Sequence, residues 1–123
     1  MTGAARAAPW PVDLRFNKAR AELQLTFDDG AEFTLPYELL RVESPSAETK
    51  GHGSENPPPP AKKRQIGVTG AEPVGRYALR IQFSDGHNTG LFTWAYLREL
   101  GEQKDQRMSA YVTRMRELGL PRE

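Results

Sequence analysis

Two stretches of the chain carry the same signals in the same order: LQLTFDDGAEFTLPYELLR at 23–41 and LRIQFSDGHNTGLFTWAYLR at 79–98. In each, apolar residues alternate, an Asp-Gly pair interrupts them, alternation resumes, and a short helical pattern ends in Leu-Arg. The second copy has one extra residue after the turn. A period of two belongs to a strand with one buried face. An Asp-Gly pair admits the positive φ of a tight hairpin turn. Each copy therefore reads as a hairpin followed by a helix. Solenoids need about three copies, so two copies point to paired hairpins building one antiparallel sheet covered by helices. The expected class is α+β and strand-rich: an antiparallel sheet built from two β-hairpin units, with short covering helices and a C-terminal helix.

The remaining pattern extends this reading. Val12, Leu14 and Phe16 alternate with Asp13 and Arg15 as a first strand, and NKAR turns it. Pro36 suits the first position of a helix, whose Leu39, Leu40 and Val42 would pack on the sheet. Ile66 and Val68 resume strand spacing, and GAEPVGR reads as a Pro/Gly turn region. Tyr77, Leu79, Ile81 and Phe83 share one face, opposite Ala78, Arg80 and Gln82. Thr93 is a plausible N-cap for a helix through Leu100, with Gly101 as its stop. Met108, Tyr111, Val112, Met115 and Leu118 recur at helical spacing, a stripe suited to core or partner contact. Gly119 and Pro121 end that helix.

A chain of 123 residues is expected to form one domain. Residues 1–9 read as a disordered lead, 10–101 as the domain and 102–123 as a C-terminal helical extension. Within the domain, 43–64 reads as a mobile loop. Its four prolines at 57–60 cannot occupy a helix interior or a central strand. The KKR at 62–64 reads as a solvated charge cluster, since three basic residues without interleaved aromatics make no nucleic-acid patch.

Several function classes are excluded or disfavoured. The chain has no cysteine, so disulfides, thiolate chemistry and cysteine-held zinc or iron–sulfur clusters are out. A net charge of +1 steers it toward neither nucleic acid nor anionic membrane. No run approaches the ~18 apolar residues of a membrane span, and a cytoplasmic location is expected. Asp85 and His87 could orient a general base, yet no serine or cysteine stands in a nucleophile-elbow pattern. The two histidines, His52 and His87, show no metal-ligand spacing. A weak site of His52, His87 and Glu48 is the best that could be assembled. No glycine pattern supports a phosphate loop. No enzyme activity, cofactor or bound metal is expected.

The opening WPVDLRF, the segment RVESPSAETKGHG and the long stretch EPVGRYALRIQFSDGHNTGLFTWAYLREL resemble a known family. It is the small bacterial domain of unknown function named after the N-terminal domain of gamma-butyrobetaine hydroxylase. The resemblance spans about residues 10–101. It implies a compact strand-rich α+β fold. In the eukaryotic carnitine-pathway dioxygenases this domain precedes a catalytic domain that binds iron and 2-oxoglutarate, which 123 residues could not also hold, so the catalytic activity does not carry over. The family also occurs fused to P-loop iron–sulfur carriers, which suggests by analogy an accessory role in metal-cluster biology.

The dioxygenase version holds a structural zinc with a C-x-C-x-x-C run after a Leu-Arg pair, plus a histidine. Here Leu40-Arg41 is followed by Ser44, Ser46 and Thr49 at that spacing, and His87 matches the histidine. Neutral hydroxyls are poor zinc ligands beside thiolates. The resemblance thus implies a metal-free site in which His87 reaches the Ser44–Glu48 segment by hydrogen bonding. The leading expectation is a non-catalytic binding or scaffold module. Its protein partner would meet a surface around Arg41, Ser44, Ser46, Glu48, His52, Asp85 and His87. The alternatives are a metal-handling accessory in iron–sulfur cluster assembly and an uncharacterised small enzyme.

Overall fold

The computed structural model describes residues 10–45, 60–88 and 90–123. The proposed lead at 1–9 and most of the proposed loop, 46–59, lie outside the described residues, and with them Ser46, Glu48 and His52. The described chain runs β1 (Pro11–Asn17), β2 (Glu22–Phe27), β3 (Glu32–Pro36), α1 (Tyr37–Val42), β4 (Val68–Val74), β5 (Ala78–Phe83), β6 (Gly90–Thr93), α2 (Trp94–Glu102) and α3 (Lys104–Leu118). The fold is α+β and strand-rich. Each repeat unit makes its own three-stranded antiparallel sheet, ordered β1-β2-β3 and β4-β5-β6, rather than half of one continuous sheet.

Alternation does what the sequence implies in the central strands. Leu23, Leu25 and Phe27 of β2, and Leu79, Ile81 and Phe83 of β5, bury one face. They meet Leu35, Leu39, Leu40, Phe92, Leu97 and Leu100 in a single core. The hairpin turns close alike, Gly30 and Gly86 both at φ 89°. Burial of this apolar surface is the main force holding two small sheets together, at about 25 cal/mol per Å².

The edges differ from the pattern for local reasons. The first strand of each sheet carries an irregularity at the same place: pairing slips between Pro11 and Asp13 in β1 and between Val68 and Gly70 in β4. In β1 the extra residue is Val12, which is therefore turned outward and 63% exposed instead of buried. Gly70 to Val74 belong to β4, not to a turn, and only 75–77 reverse the chain. Pro73 is tolerated there because β4 is an edge strand. Tyr77 sits in that reversal and is 73% exposed, while Ala78 takes the buried position.

The helix ends also depart from expectation. Pro36 is the N-cap of α1, still extended at ψ 143°, and α1 starts at Tyr37. Thr93 caps α2 as expected, its Oγ1 accepting from the Tyr96 N–H at 3.0 Å. Gly101 does not stop α2, which continues to Glu102. The glycine instead admits Phe33: a Cβ at 101 would lie 2.5 Å from the Phe33 ring. Helix α3 ends at Gly119 in the left-handed conformation, φ 67°. Tyr111 and Met115 of its stripe are buried, whereas Leu118 is 47% exposed.

The C-terminal residues are tied into the domain. Buried Glu38 accepts from Arg122 through Nε at 2.9 Å and Nη2 at 2.8 Å, and from the Tyr111 hydroxyl at 2.7 Å. Burial pushes the Glu38 carboxyl up, but these hydrogen bonds prevail and hold it below its ordinary range. The Lys62 and Arg64 N–H groups donate to the carbonyls of Pro121 and Arg122, each at 2.8 Å. Residues 62–64 are thus strapped to the C-terminus, and this fixes where Lys63 points.

Candidate functional site

The repeat sets two Asp-Gly turns against two Leu-Arg helix ends, and the pairing is crossed. Asp29 of the first hairpin meets Arg98 of α2, with Nη1 and Nη2 each 3.0 Å from a carboxylate oxygen. Asp85 of the second hairpin meets Arg41 of α1, Nε to Oδ2 at 2.8 Å. Each aspartate also accepts from the backbone N–H two residues on, Ala31 at 3.2 Å and His87 at 3.1 Å. This is the local turn chemistry aspartate favours. The crossed pairs clamp the two units together at two corners.

The Asp29 corner is closed. Arg98 spends its remaining nitrogen, Nε, on Glu102 at 2.9 Å. Its guanidinium lies 5.1 and 5.2 Å from the ring centres of Phe27 and Phe33, a cation–π arrangement. Phe33 fills the remaining space against Gly101.

The Asp85 corner has the same frame and different contents. Strand pairing sets Gly90 opposite Ile81 as it sets Phe33 opposite Leu25. Gly90 therefore stands at the position of Phe33, and Ser44 stands at the position of Gly101 by sequence offset. A Cβ at 90 would overlap Ser44 Oγ, so the glycine makes room for the serine. Ser44, 4% exposed, hydrogen-bonds His87 Nε2 at 2.9 Å. The His87 ring also packs on Phe83, centroids 6.0 Å apart. Lys63 joins the cluster, its Nζ 2.6 Å from Asp85 Oδ2. Burial pushes the Asp85 carboxyl up, but Lys63 and Arg41 outweigh it and hold it far below the usual carboxylate range. Arg41 retains a buried Nη1 with no hydrogen-bond partner among the described residues.

Of the expected surface, then, Arg41, Ser44, Asp85 and His87 come together, the last two within one turn. Ser46, Glu48 and His52 lie outside the described residues. Lys63 was not anticipated. It is not the solvated charge expected of KKR, because the strap to the C-terminus turns it inward, 19% exposed. Gly90 was also missed, although Phe33 in the first copy and glycine in the second is visible once the copies are aligned.

The donors at this corner do not suit zinc. Ser44 occupies the place expected for the first thiolate, and its hydroxyl and the His87 ring nitrogen are spent on each other. Among the described residues no three histidines or carboxylates are grouped to hold a metal ion. No helix among them is long and apolar enough to cross a membrane.

Comparison with known proteins agrees with this frame. The family described as gamma-butyrobetaine hydroxylase-like, N-terminal, matches residues 14–98. The chain belongs to that family. Both crossed ion pairs of this gamma-butyrobetaine hydroxylase-like domain lie within the matched span. A crystal structure of a protein of unknown function from Acidithiobacillus ferrooxidans ATCC 23270, of the DUF971 family, is 37% identical, with TM-score 0.60 over 74% of this chain and 91% of that one. Two solution structures are also similar. One is 40% identical, with TM-score 0.82 over 95% of this chain and 92% of that one. The other is 36% identical, with TM-score 0.78 over 100% and 91%. No curated protein matches the chain.

Proposed function

We propose that this domain is a non-catalytic binding module whose Asp85 corner docks a protein partner. The observation that carries the reading is the buried Arg41 Nη1 without an acceptor. A buried donor left unpaired costs about 1–3 kcal/mol, and the equivalent Arg98 shows that this frame can satisfy its arginine completely. Arg41 and Lys63 share the one carboxylate of Asp85, so two cations face one acid beside the Ser44–His87 pair. A partner's carboxylate would balance the excess positive charge, and a shift of the Arg41 side chain on docking would bring its buried nitrogen to that acceptor. His87, which the family resemblance aligns with a zinc-ligating histidine of the dioxygenase version, is engaged here by Ser44. Ser44 and His87 form a hydroxyl–imidazole pair, but Ser44 is buried and Asp85 is engaged by Lys63 and Arg41, an arrangement that favours binding over catalysis.

The test is affinity capture from cells with the tagged wild-type chain, Arg41→Gln and Arg80→Gln, the last on the outer face of β5. A partner held by wild type and Arg80→Gln but lost from Arg41→Gln is the expected result. Equal capture by all three, or no specific partner at all, overturns the reading.

A further inference from the structure

The correspondence between the two units also relates two sites on their flanks. In one, Trp10 precedes β1 and its carbonyl accepts from the Asp28 N–H at 2.8 Å. Its indole meets Trp94 edge-on, centroids 6.3 Å apart. Trp94 in turn satisfies its own N–H on the Arg76 carbonyl at 2.8 Å. In the other, Gly67 precedes β4, and its carbonyl accepts from the Ser84 N–H, also at 2.8 Å. Tyr37 stands where Trp94 stands: both start a helix, and their N–H groups donate to Ala21 and Tyr77, each at 2.9 Å. Gly67 therefore holds the place of Trp10, and Tyr37 packs instead on Phe16 of β1, centroids 6.3 Å apart.

A groove of about 570 Å³ is open there, lined among others by Lys18, Tyr37, Arg64, Gln65 and Val68. That is within the ~300–1,000 Å³ of small-molecule sites. The glycine is not demanded by the fold, because its φ is outside the left-handed region and a Cβ would only touch Ser84 at 3.6 Å. Tyr37 is 2% exposed, and its buried hydroxyl has no hydrogen-bond partner among the described residues. Burial pushes its pKa up, so the phenol stays a donor at neutral pH. No aspartate or glutamate is among the lining residues, while Lys18 and Arg64 are. Arg64 pairs with Glu123 at 2.8 Å, both side chains more than half exposed, and such pairs contribute little.

We propose that this groove binds a small planar organic anion of the aromatic carboxylate class. The ring takes the space that Trp10 fills in the other unit, beside Tyr37, and the carboxylate meets Lys18 and Arg64. This site is separate from the Asp85 corner and stands or falls without it.

The test is titration of the ¹⁵N-labelled chain with indole-3-acetate and with benzoate, each to about 10 mM, beyond a millimolar dissociation constant. Indole-3-acetamide is the neutral comparator. At least one acid is expected to shift the amides of Lys18–Ala21 and Gln65–Thr69, and to bind about tenfold or more tighter than the amide. Lys18→Gln with Arg64→Gln should remove that preference. Gly67→Trp should fill the groove, abolish the shifts and raise Tm. The proposal is overturned by no shift with either acid, by equal binding of the neutral amide, or by binding that survives Gly67→Trp.

Discussion

At the Asp29 corner all three nitrogens of Arg98 are spent on carboxylates, and two phenylalanine rings lie beside the guanidinium. At the Asp85 corner the equivalent Arg41 keeps one buried nitrogen unpaired among the described residues, and serine, histidine and lysine gather around the turn. One backbone frame supports both. The closed corner shows that Phe against Gly is enough to join the two units. The polar residues of the open corner are therefore not explained by the needs of the scaffold.

The comparison can be broken first where it is most apolar. Phe33→Ala removes the ring that fills the closed corner, and it is expected to cost about 3 kcal/mol, the lower end for a phenylalanine truncated in a core. Denaturant unfolding measures it, and a loss below about 1 kcal/mol would mean that the corner is not closed by packing. Gly101→Ala presses a methyl against the same ring. Overpacking of this kind costs about 1–3 kcal/mol, and combining it with Phe33→Ala should recover most of that loss, because the clash then disappears.

Exchanging the arginines sharpens the contrast. Arg98→Met forfeits a bidentate pair and two aromatic contacts, about 1–2 kcal/mol in this partly buried setting. Arg41→Met removes an unpaired buried donor and leaves Asp85 with Lys63, so its expected cost is below about 1 kcal/mol. Equal losses in the two variants would erase the difference between the corners.

The smallest expected effect is on pH dependence. Asp85 is held low by two cations and Asp29 chiefly by Arg98. A carboxyl with a depressed folded pKa stabilises the fold above its unfolded value of about 3.9, and that contribution fades as pH falls toward the folded value. Asp85→Asn should therefore be less stable than wild type at neutral pH, with the gap closing below about pH 4. Carboxyl ¹³C titration should place the Asp85 midpoint below that of Asp29. The reverse order would show that Lys63 contributes nothing to the open corner.

Much of the fold was legible because period-two patterning and Asp-Gly turns are local. Leu23, Leu25 and Phe27 declare their shared face without any knowledge of what covers it, as do Leu79, Ile81 and Phe83. The misreadings cluster at edges. Val12 and Pro73 obey pairing irregularities and edge positions that only a neighbouring strand defines. Gly101 reads as a helix stop until Phe33 is placed against it. At the candidate site, Asp85, His87, Arg41 and Ser44 were picked out from the turn, the repeat and the family resemblance. Lys63 was not, because the C-terminal strap that turns it inward joins residues nearly sixty positions apart in sequence, as Arg64 and Glu123 show.

By itself the sequence determined that two hairpin-and-helix units exist, where each turns and which face each buries, since these follow from the chain's periodicity and from a glycine's tolerance of positive φ. Only the tertiary structure decided that the units cross-pair, with Asp29 on Arg98 and Asp85 on Arg41. It also decided that one corner and one flank are filled while their counterparts stay open. The reason is that packing depends on side-chain volume summed across distant segments: Phe33 with Gly101 against Gly90 with Ser44, and Trp10 with Trp94 against Gly67 with Tyr37.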